Sequence, residues 1–392
     1  MKRILAPCFA CALTAQTPSI YRGPQVWEDG HTVLTSLDPD LPSLSHNYKS
    51  VLTLDSQGRV VDKLLLPEPL QWPFVSHWRG RSFAYGFPTH PAWYFPYLVK
   101  HAWRFPPITF DKAYQNAEQH LYQSTDFRTW QLLARYRPGE DSHGKMQNPV
   151  PLEDGSFLGF AFWSFWEGDR VSPVARYRVD GRGHLVFERL VELGQNGVFD
   201  TIPHPTRIGQ KSLKAKPGYE DIERNQWVTA RTREGLVLFS RGGWYFVLDN
   251  HDGHCLREGR IPAPQGQTLW IVDAEPGPDG RILVASTNLR GKEKVLVSSF
   301  NQPQASPSTR LARELVQLKG RGRLQVDLEG PTPLAWHRLD PATGQLSREL
   351  PPKGVTTVLE DFWDRLIFRF TIRPDGNLDV FRERAVWQRL SL

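Results

Sequence analysis

Gln226–Ile261 reads QWVTARTREGLVLFSRGGWYFVLDNHDGHCLREGRI. It splits into four short runs rich in β-branched and aromatic residues: QWVTART, GLVLFSR, WYFVLD and CLREGRI. Glycine-bearing turns separate them, and glycine supplies positive φ there without steric cost. Four strands of this length joined by tight turns read as one antiparallel sheet.

The third and fourth runs form a unit that returns along the chain: an alternating apolar strand, an Asp/Gly/Asn turn, and a second strand. It appears at Ser50–Leu66 (SVLTLDSQGRVVDKLLL), Ala175–Leu193, Trp244–Ile261, Ala335–Leu350 and Phe370–Arg384. Leu121–Tyr136 and Lys294–Leu318 are weaker copies. Turn chemistry flanked by period-two alternation is a strong local hairpin signal. Hairpins at intervals from end to end, without helical periodicity between them, predict a radial repeat. The expected fold is all-β: one β-propeller of six or seven four-stranded blades. Seven is slightly favoured, although it makes each blade somewhat longer than the ~40–45 residues of compact repeats. A strand near His31–Leu37 is expected to complete the last blade, which contains Leu366–Val380.

Composition agrees. The 32 prolines and 31 glycines are scattered as turn punctuation and form no low-complexity block, which excludes disorder. The 46 Trp, Tyr and Phe residues suit strands packed face to face. The formal charge of +6 is spread thinly, so no nucleic-acid partner is expected. The basic run Lys211–Gly218 is read as a solvated loop.

Residues 1–16 have the outline of a secretory signal peptide: Lys2 and Arg3, then an apolar run to Ala15 ending in small residues. The run is too short to span a bilayer, so no transmembrane segment is expected. Residues 17–392 are assigned to the propeller and the location to the periplasm or the extracellular space. Cys8 and Cys11 would leave with the signal, and Cys255 then has no partner for a disulfide.

Ser124-Thr125-Asp126-Phe127-Arg128-Thr129-Trp130 resembles the Asp-box of sialidase-type (BNR) propellers, one residue short and without its glycine. It is similar also to the strand turns of five-bladed glycoside hydrolases. In both the resemblance implies a structural Asp that caps backbone N–H groups and a Trp packed between sheets. Gln147–Leu158 is similar to the strand that in sialidases carries a carboxylate-binding arginine. Asn148 stands at that position here, and an amide cannot grip a carboxylate bidentately. Leu339–Gly344 resembles the hairpin of six-bladed NHL-like propellers.

Glycosidases need two carboxylates across a cleft. The polar segments ahead of inner strands offer Glu140 and Asp141 in one place and Glu220, Asp221 and Glu223 in another; these are the catalytic candidates. Trp93, Trp103, His143, Asn148, Arg224 and Asn225 are the candidates for ligand contact. They lie in or beside the long segments His90–Lys112, Gly139–Asn148 and Gly194–Asn225, which are expected to share one face, with the Asp/Gly turns away from the axis. Paired metal-ligand spacings, phosphate loops and nucleophile elbows are missing from the sequence, so no metal and no cofactor is expected. With no complete catalytic set visible, the favoured reading is a non-enzymatic binding or scaffold propeller for a polysaccharide, peptide or protein. The alternative is a glycoside hydrolase or lyase of sialidase-like or five-bladed type.

Overall fold

The structure, a computed structural model, describes residues 25–26, 32–37, 47–54, 60–88, 118–126, 128–137, 145–162, 173–203, 211–220, 222, 227–240, 242–263, 268–289, 334–350, 369–372, 378–382 and 386–390. They form an all-β, propeller-like arrangement of antiparallel sheets.

The opening stretch of Gln226–Ile261 folds as read, into β14 (Val228–Arg231), β15 (Leu236–Phe239), β16 (Trp244–Leu248) and β17 (Cys255–Arg260), hydrogen-bonded in that order. Its neighbours repeat the plan. One is β8 (Lys145–Pro151), β9 (Phe157–Phe162), β10 (Val174–Val179) and β11 (Leu185–Leu190). The other is β18 (Thr268–Pro276), β19 (Ile282–Leu289), β20 (Leu334–Leu339) and β21 (Leu346–Glu349). A three-stranded sheet follows: β22 (Arg369–Ile372), β23 (Leu378–Arg382) and β24 (Val386–Leu390).

The N-terminal sheet has seven strands: β1 (Gln25–Val26), β2 (Thr32–Leu37), β3 (Asn47–Leu54), β4 (Val60–Trp78), β5 (Arg81–Pro88), β6 (Gln119–Ser124) and β7 (Gln131–Tyr136). Its 19-residue strand β4 serves two partners in succession. Val60 to Leu65 pair with β3 alone, Leu70 and Gln71 with both β3 and β5, and Phe74 to Trp78 with β5 alone. Pro67, Pro69 and Pro73 lie where the partner changes; proline has no N–H for a ladder and concentrates at such irregular points.

First strands meet first strands: β4 lies against β8, β14 against β18, β18 against β22, and β22 against β1. The buried clusters are the seams between sheets. Leu236, Leu238, Phe246 and Leu248 pack on Val150, Leu158 and Phe160 of the preceding sheet. The alternate residues Val237, Phe239 and Val247 pack on Ile271, Ile282 and Val284 of the next. With both faces covered, each such side chain contributes roughly 1.5–3 kcal/mol of burial, and β15 and β16 read as continuous apolar runs.

The recurrent turns lock these seams. Asp180 Oδ1 accepts from the backbone N–H of Arg182 and His184, Asp249 Oδ1 from His251, and Asp340 Oδ1 from Ala342. Each turn then bonds to the sheet before it. Arg135 N donates to Gly183 O at 2.9 Å, Arg176 Nη1 to Asp252 O at 2.8 Å and Arg257 Nη1 to Pro341 O at 2.7 Å. Gly253 shows the closeness of the fit: at φ 77°, an added Cβ would stand 2.9 Å from Leu158 Cδ2.

Two expectations need correction. The strand at His31–Leu37 does not complete the last sheet: β2 pairs with β1 and β3, because a two-residue β1 ahead of it takes the place beside β22. Lys211–Ala215 is a strand, β13, paired with β12 (Phe199–Pro203). The spacing of KSLKA buries Ala215 and half-buries Leu213 while Lys214 between them points to solvent. The Lys294–Leu318 hairpin lies outside the described residues.

Candidate functional site

In each antiparallel sheet, connections after the first and third strands leave at one end and those after the second and fourth at the other. The first kind are short turns, such as Arg79–Gly80, Leu152–Ser156 and Thr232–Gly235. These meet one another: Arg79 Nη2 lies 2.7 Å from Glu153 Oε1 and Glu153 N donates to Asn250 O. Nearly all the long segments, including 89–118, 137–144 and 191–227, leave from the opposite ends. Rigid strands presenting long connections are where recognition and catalysis concentrate.

At that end of the N-terminal sheet stands a polar cluster. Glu68 lies on β4 between Pro67 and Pro69, whose fixed φ stiffens the backbone carrying it. Glu118 precedes β6, and His120 and Tyr122 follow on the same face of that strand. His120 pairs with Gly86 of the intervening strand β5. Without a side chain at position 86, His120 reaches across to β4.

His120 Nδ1 is 2.6 Å from Glu68 Oε1, and Nε2 is 3.0 Å from Glu118 Oε1. Tyr122 donates its hydroxyl to the same Glu68 oxygen. Arg137 Nη2 donates to Glu118 Oε2 at 2.6 Å, and Arg135 Nε lies 3.7 Å from Glu118 Oε1. Two carboxylates therefore flank one imidazole. Their separation, one ring and two hydrogen bonds, is on the scale of the ~5–9.5 Å that separates glycosidase carboxyl pairs.

The electrostatics sort the groups. Burial works to lower the His120 pKa, but its hydrogen bonds to Glu68 and Glu118 outweigh that and raise it. Burial works to raise Glu118, and His120 and Arg137 outweigh that and lower it. Burial and then Glu68 push Tyr122 far above the usual phenol range. At neutral pH the cluster holds an ionised carboxylate, a protonated phenol and an imidazole whose protonated form the two glutamates favour. Environments that drive neighbouring groups apart in this way equip them as acid and base.

Of the residues singled out in the sequence, Glu220 is described: it is exposed, and its carboxylate accepts from the N–H of Gly218. Asn148 is placed by its backbone in β8. Trp93, Trp103, Glu140, Asp141, His143, Asp221, Glu223, Arg224 and Asn225 lie outside the described residues. Sequence reasoning missed the observed cluster. Its signal was there in Glu118-Gln-His120-Leu-Tyr122, a polar stripe at period two on a strand, and in the Pro-Glu-Pro that holds Glu68.

Asp126 behaves as its motif implies. Its Oδ1 accepts from Ser124 Oγ and from the N–H groups of Arg128 and Thr129; those backbone bonds hold its carboxyl far below the usual range. Trp130 packs against the seam of Leu66, Leu70 and Tyr122. Asp249, Asp252 and His254 bring three potential metal ligands together, but Asp249 and Asp252 are occupied by the N–H groups of their own turn.

No family model and no curated protein matches the sequence. Solved structures do resemble the chain. YjhT is 9% identical with a TM-score of 0.44, covering 96% of this chain and 93% of that one. The Penicillium chrysogenum alpha-L-arabinanase complexed with arabinobiose is 11% identical with a TM-score of 0.40, covering 90% and 87%. A polysaccharide lyase of family PL25, an ulvan lyase, is 8% identical with a TM-score of 0.39, covering 96% and 87%. Likeness at this level supports no residue correspondence. The expectation of a non-enzymatic propeller is nevertheless corrected. It rested on the lack of a visible catalytic set, and Glu68, His120 and Glu118 bring two carboxylates and an imidazole together.

Proposed function

We propose that the protein is a glycan-cleaving propeller enzyme, of the glycoside hydrolase or lyase kind. The observation that carries this reading is the pair Glu68 and Glu118 on the two nitrogens of His120, at the sheet end from which the long connections leave. In hydrolysis, protonated His120, held by Glu68, gives its proton to the leaving glycosidic oxygen, and ionised Glu118 takes one from the water that adds to the anomeric carbon. In elimination the same acid serves the leaving oxygen, while a base removes a carbon-bound proton. The carboxylates singled out in the sequence, Glu140 and Asp141 and then Glu220, Asp221 and Glu223, fall in the connections after β7 and β11. A polysaccharide is the ligand, with Trp93 and Trp103 as stacking rings. Release of new reducing ends from a panel of plant and algal polysaccharides tests the reading; a folded protein that releases none from any of them overturns it.

The sheets are best read as six blades. β4 supplies the last strand of the first blade and the first strand of the second, and β12–β13 is an insertion between the third and fourth. A crystallographic view down the axis showing seven would refute this. Export through cleavage of residues 1–16 belongs to the same proposal, and an intact Met1 on the protein from its own host would rule it out.

A further inference from the structure

We infer that the substrate of this site is an anionic glycan, held through its carboxylate or sulfate groups by Arg135 and Arg137. The inference rests on the glycan-cleaving reading and deepens it. The two arginines stand two residues apart at the end of β7, and both turn toward Glu118. Neither is used up by that contact. Arg135 offers only Nε, at 3.7 Å, and its two Nη groups have no partner among the described residues. Arg137 commits one Nη to Glu118. Their side chains are 51% and 74% exposed, against 15% for His120 beside them, so the open guanidinium edges border the acid–base groups on the solvent side.

The charges give the same answer. Two glutamates face two arginines and an imidazole that the glutamates favour in its protonated form, so the cluster is left with a positive surplus. A planar guanidinium fork matches a carboxylate or sulfate oxygen pair, and two forks side by side set the orientation of the sugar that carries it. Asn148 cannot provide this grip at the position where a sialidase-type strand would carry arginine. A carboxylate held here would present its sugar ring to His120 and Glu118.

The test is affinity electrophoresis of the full chain in polygalacturonate, in the same polymer fully methyl-esterified, and in chondroitin sulfate. Esterification keeps the sugars and removes the charge. Arg135→Gln/Arg137→Gln is compared with Arg178→Gln/Arg182→Gln, which removes equal charge from exposed positions in another sheet, and thermal unfolding confirms that both pairs fold. Retardation at least tenfold stronger in polygalacturonate or chondroitin sulfate than in the ester is expected, lost in the site pair and kept in the remote pair. Retardation by polygalacturonate shows that carboxylates suffice, and retardation by chondroitin sulfate alone, which carries both groups, that the polygalacturonate carboxylates do not. Equal retardation in charged and neutral polymers, or equal loss in both variant pairs, overturns the inference. If a neutral glycan is cleaved while no charged one binds, only this inference fails; if none binds and none is cleaved, the glycan-cleaving reading fails with it.

Discussion

His120 Nδ1 stands 2.6 Å from Glu68 Oε1 although 52 residues separate them in sequence. The contact exists because β4 and β6 flank a strand that carries Gly86 at the crossing, and because β4 changes partner at its prolines. It joins the acid–base residues to the architecture, and it makes the cluster sensitive to pH.

His120 has its pKa raised in the folded protein. Its stabilising contribution is complete below the ordinary value of 6.5 and is lost as pH rises through the raised folded value. Glu118 is lowered, so its contribution is complete above 4.5 and is lost as pH falls through its lower folded value. The stability gap between the native protein and His120→Gln should therefore be widest between these limits and shrink on going alkaline. Thermal unfolding from pH 5 to 9 measures it, and a gap that widens with pH contradicts the assignment.

Gly253→Ala should destabilise by about 1–3 kcal/mol, combining a left-handed backbone with overpacking against Leu158. Denaturant unfolding reports the loss. A neutral result would mean that the Asp249–Gly253 turn is not seated on the preceding sheet.

Phe246→Ala removes a fully buried ring from the seam between the β8–β11 and β14–β17 sheets and should cost about 3–5 kcal/mol. Phe187→Ala offers a contrast in the same measurement. Its ring is 42% exposed on the outer strand β11, so its cost should be well under half as large.

Asp126→Ala should lower the unfolding midpoint and leave glycan cleavage unchanged, because Asp126 bonds the backbone of its own turn at the end opposite the cluster. Loss of activity without loss of stability would instead make it a functional residue.

Much of the fold was legible because its rule is local. Asp180, Asp249 and Asp340 each close a turn within five residues, and such turns can be read one at a time. The join at β4 was less so, since nothing local marks the residue at which a strand changes partner, and the closing strand was misplaced for that reason. The site was the least legible part. Glu68 and His120 meet only through sheet order, and in the sequence each looks like an ordinary polar residue beside apolar ones. The segments that drew attention were long and rich in carboxylates, whereas the observed cluster sits on the strand ends that hold them.

The most direct test of the account is the rate at which Glu118→Gln releases reducing ends from the best polysaccharide substrate, beside the native protein at matched thermal stability. The amide keeps the size of the side chain and removes its charge, so a loss of at least ~10²-fold is predicted. Cleavage at the native rate by a folded Glu118→Gln protein would contradict the claim that this cluster is the catalytic site.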